Sequence, residues 1–217
     1  MLAAKAKAMS DFLFQHARIL IFCKAPVPGT VKTRLIPTMG IAGATQLHEA
    51  LARRVVEWCQ ASRLAPIQLW CAPDITHEFF SSTGLDCRQQ MDGHLGQRMD
   101  HALTVALSES DVDSAILIGT DCINMNSVYL HEALARLQHA KAVLGPAEDG
   151  GYGLIGLTEP ATSVFDNLAW GTDSVCAETA RRLNERFELW ELLPLVWDLD
   201  RPEDLLRYRS WLESGSG

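Results

Sequence analysis

The sequence has little positive charge and no long apolar run. It carries 19 Lys and Arg against 27 Asp and Glu, a formal net charge of -8 at pH 7, which argues against a general nucleic-acid-binding surface. The residues before Asp11 contain only short apolar pieces and predict neither a signal peptide nor a membrane span. We therefore expect a cytoplasmic protein that binds small molecules.

Paired cysteines, repeats and domain linkers are also missing. The six cysteines include no Cys-x-x-Cys pair and several lie in apolar runs, so we expect free thiols in a reducing compartment. With 217 residues, 47% of them hydrophobic, the chain is predicted to be one domain over residues 1–217. Residues 1–16 are predicted to be an N-terminal extension and residues 214–217 a tail.

The apolar stretch 114–121 ends on a glycine, a hydroxyl and a carboxylate. Its central residues do not alternate with polar ones, which predicts a strand covered on both faces, as is typical of parallel strands in α/β sheets. Ligands of such sheets bind outside the C-terminal strand ends. Gly119 would allow close approach to the backbone, and the Asp121 carboxylate there suits a metal ion.

The other apolar patterns alternate between strands and helices. Strands are predicted at 18–24, 66–72, 85–90, 141–145, 153–157, 189–193 and 195–199, and helices at 38–62, 74–82, from about 98, at 127–140, 174–186 and from 202. On the first helix, His48 and Arg54 are expected to face solvent. The pattern predicts a three-layer, Rossmann-like α/β domain with a mostly parallel sheet and helices on both faces.

The loop at 25–34, after the first predicted strand, concentrates hydrogen-bond donors. Two prolines stiffen it and Gly29 can take a positive φ. Because it lacks the Gly-x-x-x-x-Gly-Lys-Ser/Thr spacing, any phosphate would be held by side chains and a few amides. We favour a phosphate site over a solvated turn, and Arg98, in the first turn of a helix, either joins it or points to solvent. The donors are Lys32, Thr33 and Arg34 of the loop, together with Lys24 at the end of the preceding strand.

A second polar group precedes two glycines. Glu148 and Asp149, followed by Gly150 and Gly151, form either a simple turn or a means of directing two carboxylates at a polyol. We favour the second interpretation.

Six motifs, taken in order, resemble a known family. They are FCKAPVPG (22–29) with KTRL (32–35), LGQRM (95–99), IGTDC (118–122), LGPAEDGGY (144–152), WGTD (170–173) and DLDRPEDL (198–205). The set resembles the DUF2064 family, bacterial and archaeal proteins also called rSAM/selenodomain-associated transferase 1, which are similar to GT-A glycosyltransferases. The resemblance implies a nucleotide-diphospho-sugar transferase fold with the nucleotide over the first strands. Ile123 and Asn124 depart from the family, which usually has a proline and often an acid there.

Another departure concerns the metal site of the wider GT-A class. In the Asp-x-Asp motif of that class both carboxylates bind the metal, and here Gly119 takes the first place. Similar nucleotidyltransferases use an acid near the C-terminus instead, so the resemblance implies that Asp198 or Asp200 assists Asp121. The two acids alternate with Leu199 and could share one face. The alternative for Asp200 is a helix N-cap.

The resemblance implies a metal-dependent glycosyltransferase that uses a nucleotide-diphospho-sugar donor and Mg2+ or Mn2+. The metal, at Asp121 with Asp200 or Asp198, and the loop cations would neutralise the diphosphate, while Asp149 would accept a proton or hydrogen bond from the acceptor hydroxyl. Alternatives are a nucleotidyltransferase that releases pyrophosphate and a non-catalytic nucleotide-binding protein. Expected partners are a nucleotide or nucleotide sugar and a small-molecule acceptor. Further site residues are Gly29, Thr33 and Arg98 for the nucleotide, and Glu148, Gly150, Gly151, Trp170 and Asp173 for the sugar or acceptor.

Overall fold

The computed structural model describes residues 11–214 of the chain, and these contain a seven-stranded sheet. The strands are β1 (Ala17–Lys24), β2 (Ile67–Ala72), β3 (Asp86–Gln89), β4 (Ser114–Ile118), β5 (Ala142–Pro146), β6 (Tyr152–Leu157) and β7 (Trp190–Leu192). Their order in the sheet is β3-β2-β1-β4-β6-β5-β7. Only β6 is antiparallel to its neighbours, β4 and β5, so the prediction of a mostly parallel mixed sheet is confirmed.

Helices cover both faces of the sheet. They are α1 (Ile36–Ser62), α2 (Glu78–Ser82), α3 (Leu95–Leu107), α4 (Ser127–Arg136), α5 (Val175–Arg186) and α6 (Asp204–Glu213). One apolar cluster packs α1, α2 and α4 against one face, and a second packs α3 and α5 against the other. No helix within residues 11–214 is long and apolar enough to cross a membrane.

The strand β4 is buried along its whole length. Ile116 and Ile118 belong to the cluster on one face, whereas Ala115 and Leu117 belong to the cluster on the other. The run without polar alternation therefore reflects burial from both sides, as predicted.

Some predicted elements differ from those observed. Residues 195–199 form two isolated bridges instead of a strand, Val196 with Ala147 and Asp198 with Cys122, because the segment passes between two strand ends without following either. The helix predicted at 74–82 begins only at Glu78, where the His77 side chain caps it. Residues 1–10 of the predicted extension and 215–217 of the predicted tail lie outside the described residues.

The prediction that His48 faces solvent was wrong. His48 lies on the buried face of α1, and its Nε2 is 2.9 Å from the Lys24 carbonyl oxygen at the end of β1. Burial lowers the pKa of His48. Arg54 is half-buried, donates to the Ile123 carbonyl at 2.8 Å and stacks on Trp211. The helix α1 thus contacts the end of β1 through His48 and the residues that follow β4 through Arg54.

We expect Ile116→Ala to lower the free energy of unfolding by about 2–5 kcal/mol, because it removes a fully buried side chain and leaves a cavity between two packed layers. Ile41→Ala, at a position that is 51% exposed on α1, is the matched control and should cost less than about 1 kcal/mol. Urea denaturation measures both changes. Equal midpoints for the two variants would contradict the central place of β4.

Candidate functional site

The C-terminal segment 196–200 closes onto the tip of β4. Asp198 forms an antiparallel bridge with Cys122, and the Leu199 N–H donates to the Asp121 carbonyl oxygen at 3.1 Å. These contacts bring the strand-tip carboxylate and the C-terminal acids, which are far apart in sequence, to one edge of the sheet.

Lys32 lies inside this site and not on the surface of its loop. Its side chain is 3% exposed, and its Nζ lies 2.9 Å from Asp121 Oδ1 and donates to the Leu199 carbonyl oxygen at 2.5 Å. The contact with Asp121 is an ion pair, and the buried Oδ1 accepts no hydrogen bond. An ammonium is costly to bury unless it is paired. The pairing therefore holds the loop, β4 and the C-terminal segment together.

Arg34, two residues further along the loop, forms an ion pair with Asp200. Both side chains keep access to solvent. The backbone N–H groups of Asp200 and Arg201 donate to the Asp204 carboxylate at 3.0 and 2.7 Å, and the N-cap residue of α6 is Glu203. The alternative that Asp200 caps the last helix is therefore wrong.

Asp198 is a half-buried carboxyl among other acids. Burial, followed by the charges of Asp149 and Asp200, raises its pKa to about 6, against a smaller opposite effect of Lys32. Unlike Asp121 and Asp200, it forms no ion pair with the described residues. A bound cation would remove the penalty that this carboxylate carries.

The turn 147–151 joins β5 to β6 and carries the predicted acids. Glu148 forms a two-bond ion pair with Arg207 of α6, at 2.6 and 2.9 Å, and the guanidinium of Arg207 stacks 4.2 Å above the ring of Trp197. Glu148 therefore anchors α6. Asp149 is exposed, and its Oδ1 accepts a hydrogen bond from the Gly151 N–H at 2.8 Å.

Gly150 is required by close packing. Its φ is +86°, and a Cβ there would lie 2.2 Å from the Asp173 carbonyl oxygen. Trp170 packs edge-on against Tyr152 and lies next to Gly96, where a Cβ would be 2.8 Å from the indole. The motif 170–173 is thus packed against both the turn 147–151 and the start of α3.

A cleft of about 410 Å³ opens at the C-terminal ends of β1, β2 and β3. Arg98 reaches into it and donates to the Gln90 side-chain oxygen, while the Gln90 amide donates to the Trp70 carbonyl at 2.7 Å. Burial lowers the pKa of Arg98, and within the described residues no carboxylate pairs with it. The cleft is lined by Lys24, Val27, Thr30, Ala72, Pro73, Gln90, Met91, Asp92, Gly93 and Arg98.

The structure divides the predicted nucleotide residues into three groups. Lys24 and Arg98 line the cleft, whereas Lys32 and Arg34 contact carboxylates. Gly29, with φ +82°, and Thr33 lie exposed in the loop. The sequence analysis did not single out Thr30, Gln90 or the Ala72–Pro73 wall, although Gly93 and Gly96, which follow Gln90 closely in the sequence, would have indicated that side of the cleft.

The carboxylates suit a divalent cation that keeps other ligands. Within residues 11–214, no group of three or more His, Cys, Asp or Glu side chains is arranged to hold a metal. Mg2+ typically uses one or two carboxylates together with waters and substrate phosphates. Asp121, whose side chain is 46% exposed beyond its contact with the Lys32 ammonium, fits such a partly built site.

Solved structures share this architecture. A protein from Desulfovibrio desulfuricans G20, provisionally described as a nucleotide-diphospho-sugar transferase, is 31% identical, with a TM-score of 0.81 over 90% of this chain and 87% of its own. CMP:2-keto-3-deoxy-manno-octonic acid synthetase complexed with CTP is 10% identical, with a TM-score of 0.60 over 92% and 99%. Glucosyl-3-phosphoglycerate synthase from Mycobacterium tuberculosis, complexed with Mn2+, UDP and glucosyl-3-phosphoglycerate, is 11% identical, with a TM-score of 0.55 over 88% and 74%. The last two show a common fold.

The likeness to these structures gives the chain the fold of GT-A-like nucleotide-diphospho-sugar transferases. Among proteins of this fold, the chain belongs to the family described as uncharacterized protein conserved in bacteria (DUF2064), which matches residues 55–172. A comparison with curated proteins finds no match.

We expect Gly150→Ala to be more destabilising than Gly171→Ala. Both glycines have positive φ, +86° and +83°, but only Gly150 faces the backbone of Asp173, whereas nothing lies within 4 Å of a Cβ at Gly171. The control should lose about 1 kcal/mol from its backbone conformation, and Gly150→Ala should lose at least about 1 kcal/mol more from the clash. Thermal denaturation measures both, and equal losses would contradict the close packing.

We expect Asp198 to make the stability of the protein depend on pH. Because folding raises the pKa of this carboxyl to about 6, its stabilising contribution is complete below about pH 4 and is lost as the pH rises through about 6. Asp198→Asn should therefore be more stable than the unmodified protein at pH 7.5, by about 1 kcal/mol after allowance for solvent screening. Chemical denaturation in EDTA at pH 4 and 7.5 measures this. A difference that is equal at both pH values would contradict the assignment.

Proposed function

We propose that this protein transfers a sugar from a nucleotide-diphospho-sugar to a small-molecule acceptor with the help of Mg2+ or Mn2+. The observation that supports this most directly is the meeting of a cation-bearing loop, a strand-tip carboxylate and two C-terminal carboxylates beside an open cleft. A diphosphate requires cations and a hard divalent metal requires carboxylate oxygens, and both sets occur at one edge of the sheet.

The nucleotide lies in the cleft. Lys24 and Arg98, which have no carboxylate partner among the described residues, hold its phosphates, and Gln90 fixes the orientation of Arg98. Gly29 and Thr33 offer backbone and hydroxyl donors from the loop. The apolar Ala72–Pro73 wall and Met91 face the nucleoside.

The metal is held by Asp121 together with one of the C-terminal acids. Asp200 is accessible to solvent but paired with Arg34, whereas Asp198 is half-buried and unpaired. When bound, the ion stabilises the negative charge that develops on the leaving diphosphate. Lys32 and Arg34 supply further positive charge at the same place.

The acceptor binds on the side of the turn 147–151. Asp149 is exposed, and one of its oxygens is fixed by the Gly151 N–H, so its other oxygen is free to accept a proton or hydrogen bond from an acceptor hydroxyl. Gly150 and Asp173 shape the backbone there, and Trp170 supports the motif from behind. Glu148 acts through its ion pair with Arg207, so we assign it the positioning of α6 and not a contact with the sugar.

A nucleotidyltransferase is the second candidate. In that reaction the phosphate of a sugar or acid attacks a nucleoside triphosphate and releases pyrophosphate. The observation that favours it is the single carboxylate at the β4 tip joined to distant C-terminal acids, in place of an Asp-x-Asp pair. Among proteins of the same fold, CMP:2-keto-3-deoxy-manno-octonic acid synthetase is complexed with CTP.

We expect Asp121→Asn to lose at least about tenfold in Mn2+-dependent affinity for nucleoside diphosphates, because an amide keeps the shape of the carboxylate but not the charge that the ion requires. The variant should also be less stable, because the buried Lys32 ammonium loses its carboxylate partner, so binding is measured under conditions in which the variant is folded. Asp198→Asn and Asp200→Asn identify the second ligand by the same loss. Asp86→Asn, which removes a surface ion pair with Arg88 on β3, is the control. Binding is measured by calorimetry against a panel of nucleotides, with and without Mn2+. A full Mn2+ response in all three site variants would overturn the metal assignment.

Product analysis separates the two reactions. The protein is incubated with Mg2+ or Mn2+ and either nucleotide sugars with acceptors or nucleoside triphosphates with sugar phosphates. Nucleoside diphosphate as the product supports sugar transfer, and pyrophosphate supports the second candidate. Nucleotide binding without either product would contradict both.

A further inference from the structure

Both paired acids of the site are neutralised by cations from one loop. Lys32 pairs with Asp121 at the β4 tip, and Arg34 pairs with Asp200 of the C-terminal segment. The two cations are the ones that a diphosphate would attract, and the two carboxylates are the ones that a divalent ion would attract. Each cation could therefore pair with the diphosphate instead, and each carboxylate could bind the divalent ion instead.

The divalent ion and the diphosphate bind unfavourably while the two ion pairs remain intact. The ammonium of Lys32 occupies the buried side of Asp121 Oδ1 and also donates to the Leu199 carbonyl, so a divalent cation at the same oxygen would meet a like charge at contact distance. The same ammonium is almost fully buried and cannot reach a phosphate from that position. Arg34 is 62% exposed and needs only a side-chain rotation to leave Asp200.

The backbone conformation of Lys32 depends on side-chain contacts that a ligand could replace. Its φ of 46° places a non-glycine residue in the left-handed region, a strained conformation that persists only where surrounding contacts maintain it. The maintaining contacts here are the ion pair with Asp121 and the hydrogen bond to Leu199. Loss of those contacts would release the loop.

We propose that the ion pairs Lys32–Asp121 and Arg34–Asp200 exchange partners on binding: the diphosphate takes the two cations while the divalent ion takes the two carboxylates. This inference rests on the proposed function and deepens it. Each ligand removes the charge that obstructs the other, so metal and diphosphate bind with positive coupling through the loop, beyond the coupling that comes from their direct contact.

The test measures each ligand in the absence of the other, which excludes direct metal–phosphate contact. Mn2+ alone is titrated by electron paramagnetic resonance into the unmodified protein, Arg34→Met and Lys32→Met. Removing a competing cation should tighten Mn2+ binding by about tenfold. Lys141→Met, which breaks a surface ion pair with Glu159, is the control and should leave Mn2+ affinity unchanged.

The complementary arm titrates inorganic pyrophosphate in EDTA by calorimetry. Asp200→Asn and Asp121→Asn should each bind it about tenfold more tightly, because a cation is released to the phosphate. Asp149→Asn is the control that removes a negative charge without releasing a cation. Asp149 lies in the same acidic group but pairs with no loop cation. Its gain should be smaller, about twofold.

The outcomes separate this inference from the function on which it rests. The exchange is overturned if Asp200→Asn gains no more than Asp149→Asn, if Arg34→Met leaves Mn2+ affinity unchanged, or if no protein binds Mn2+. The Arg34 and Asp200 arms remain decisive should Lys32→Met fail to fold, because both of those side chains reach solvent. If the affinities shift as expected but no sugar or nucleotide is transferred, the exchange stands and the proposed reaction falls.

Discussion

The buried ammonium of Lys32 connects three parts of the chain that are far apart in sequence. It contacts Asp121 after β4 and the carbonyl of Leu199 in the C-terminal segment, and it belongs to the loop after β1. A small apolar cluster lies around this junction and includes Leu35 and Ile123. Because these side chains limit the access of water, the charges interact more strongly than they would at the surface. The geometry of the site therefore depends on one ion pair and the apolar contacts that shield it.

Charge is unevenly distributed along the edge of the sheet. Lys24 and Arg98 lie on the side of β1 and α3, without carboxylate partners among the described residues, while Asp149 and Asp198 lie on the side of β5 and the C-terminal segment. The paired residues stand between these two sides. Such a gradient would orient the proposed anionic nucleotide before any specific contact forms.

Local patterns predicted the layers, and contacts between distant residues account for what was missed. The strand β4 was predicted correctly because burial on both faces leaves a continuous apolar run. His48 was misassigned because its face of α1 is completed by small residues such as Ala44 and Ala52, which carry a weak apolar signal. The sequence analysis identified Lys32 and Asp121 as separate candidates. It could not predict their contact, because the contact forms only when the fold brings the loop, the end of β4 and Leu199 together. The segment 195–199 alternates like a strand but lacks a continuous neighbour.

The reversed direction of β6 determines how the turn 147–151 is built. Two parallel neighbours must be joined by a crossover of a dozen or more residues that starts and ends at opposite edges of the sheet. Since β6 runs antiparallel to β5, the turn 147–151 connects them directly and never leaves the edge where the parallel strands finish. A short hairpin thus takes the place of a crossover helix, and insertions or deletions within it would alter the proposed acceptor side without disturbing the order of the sheet.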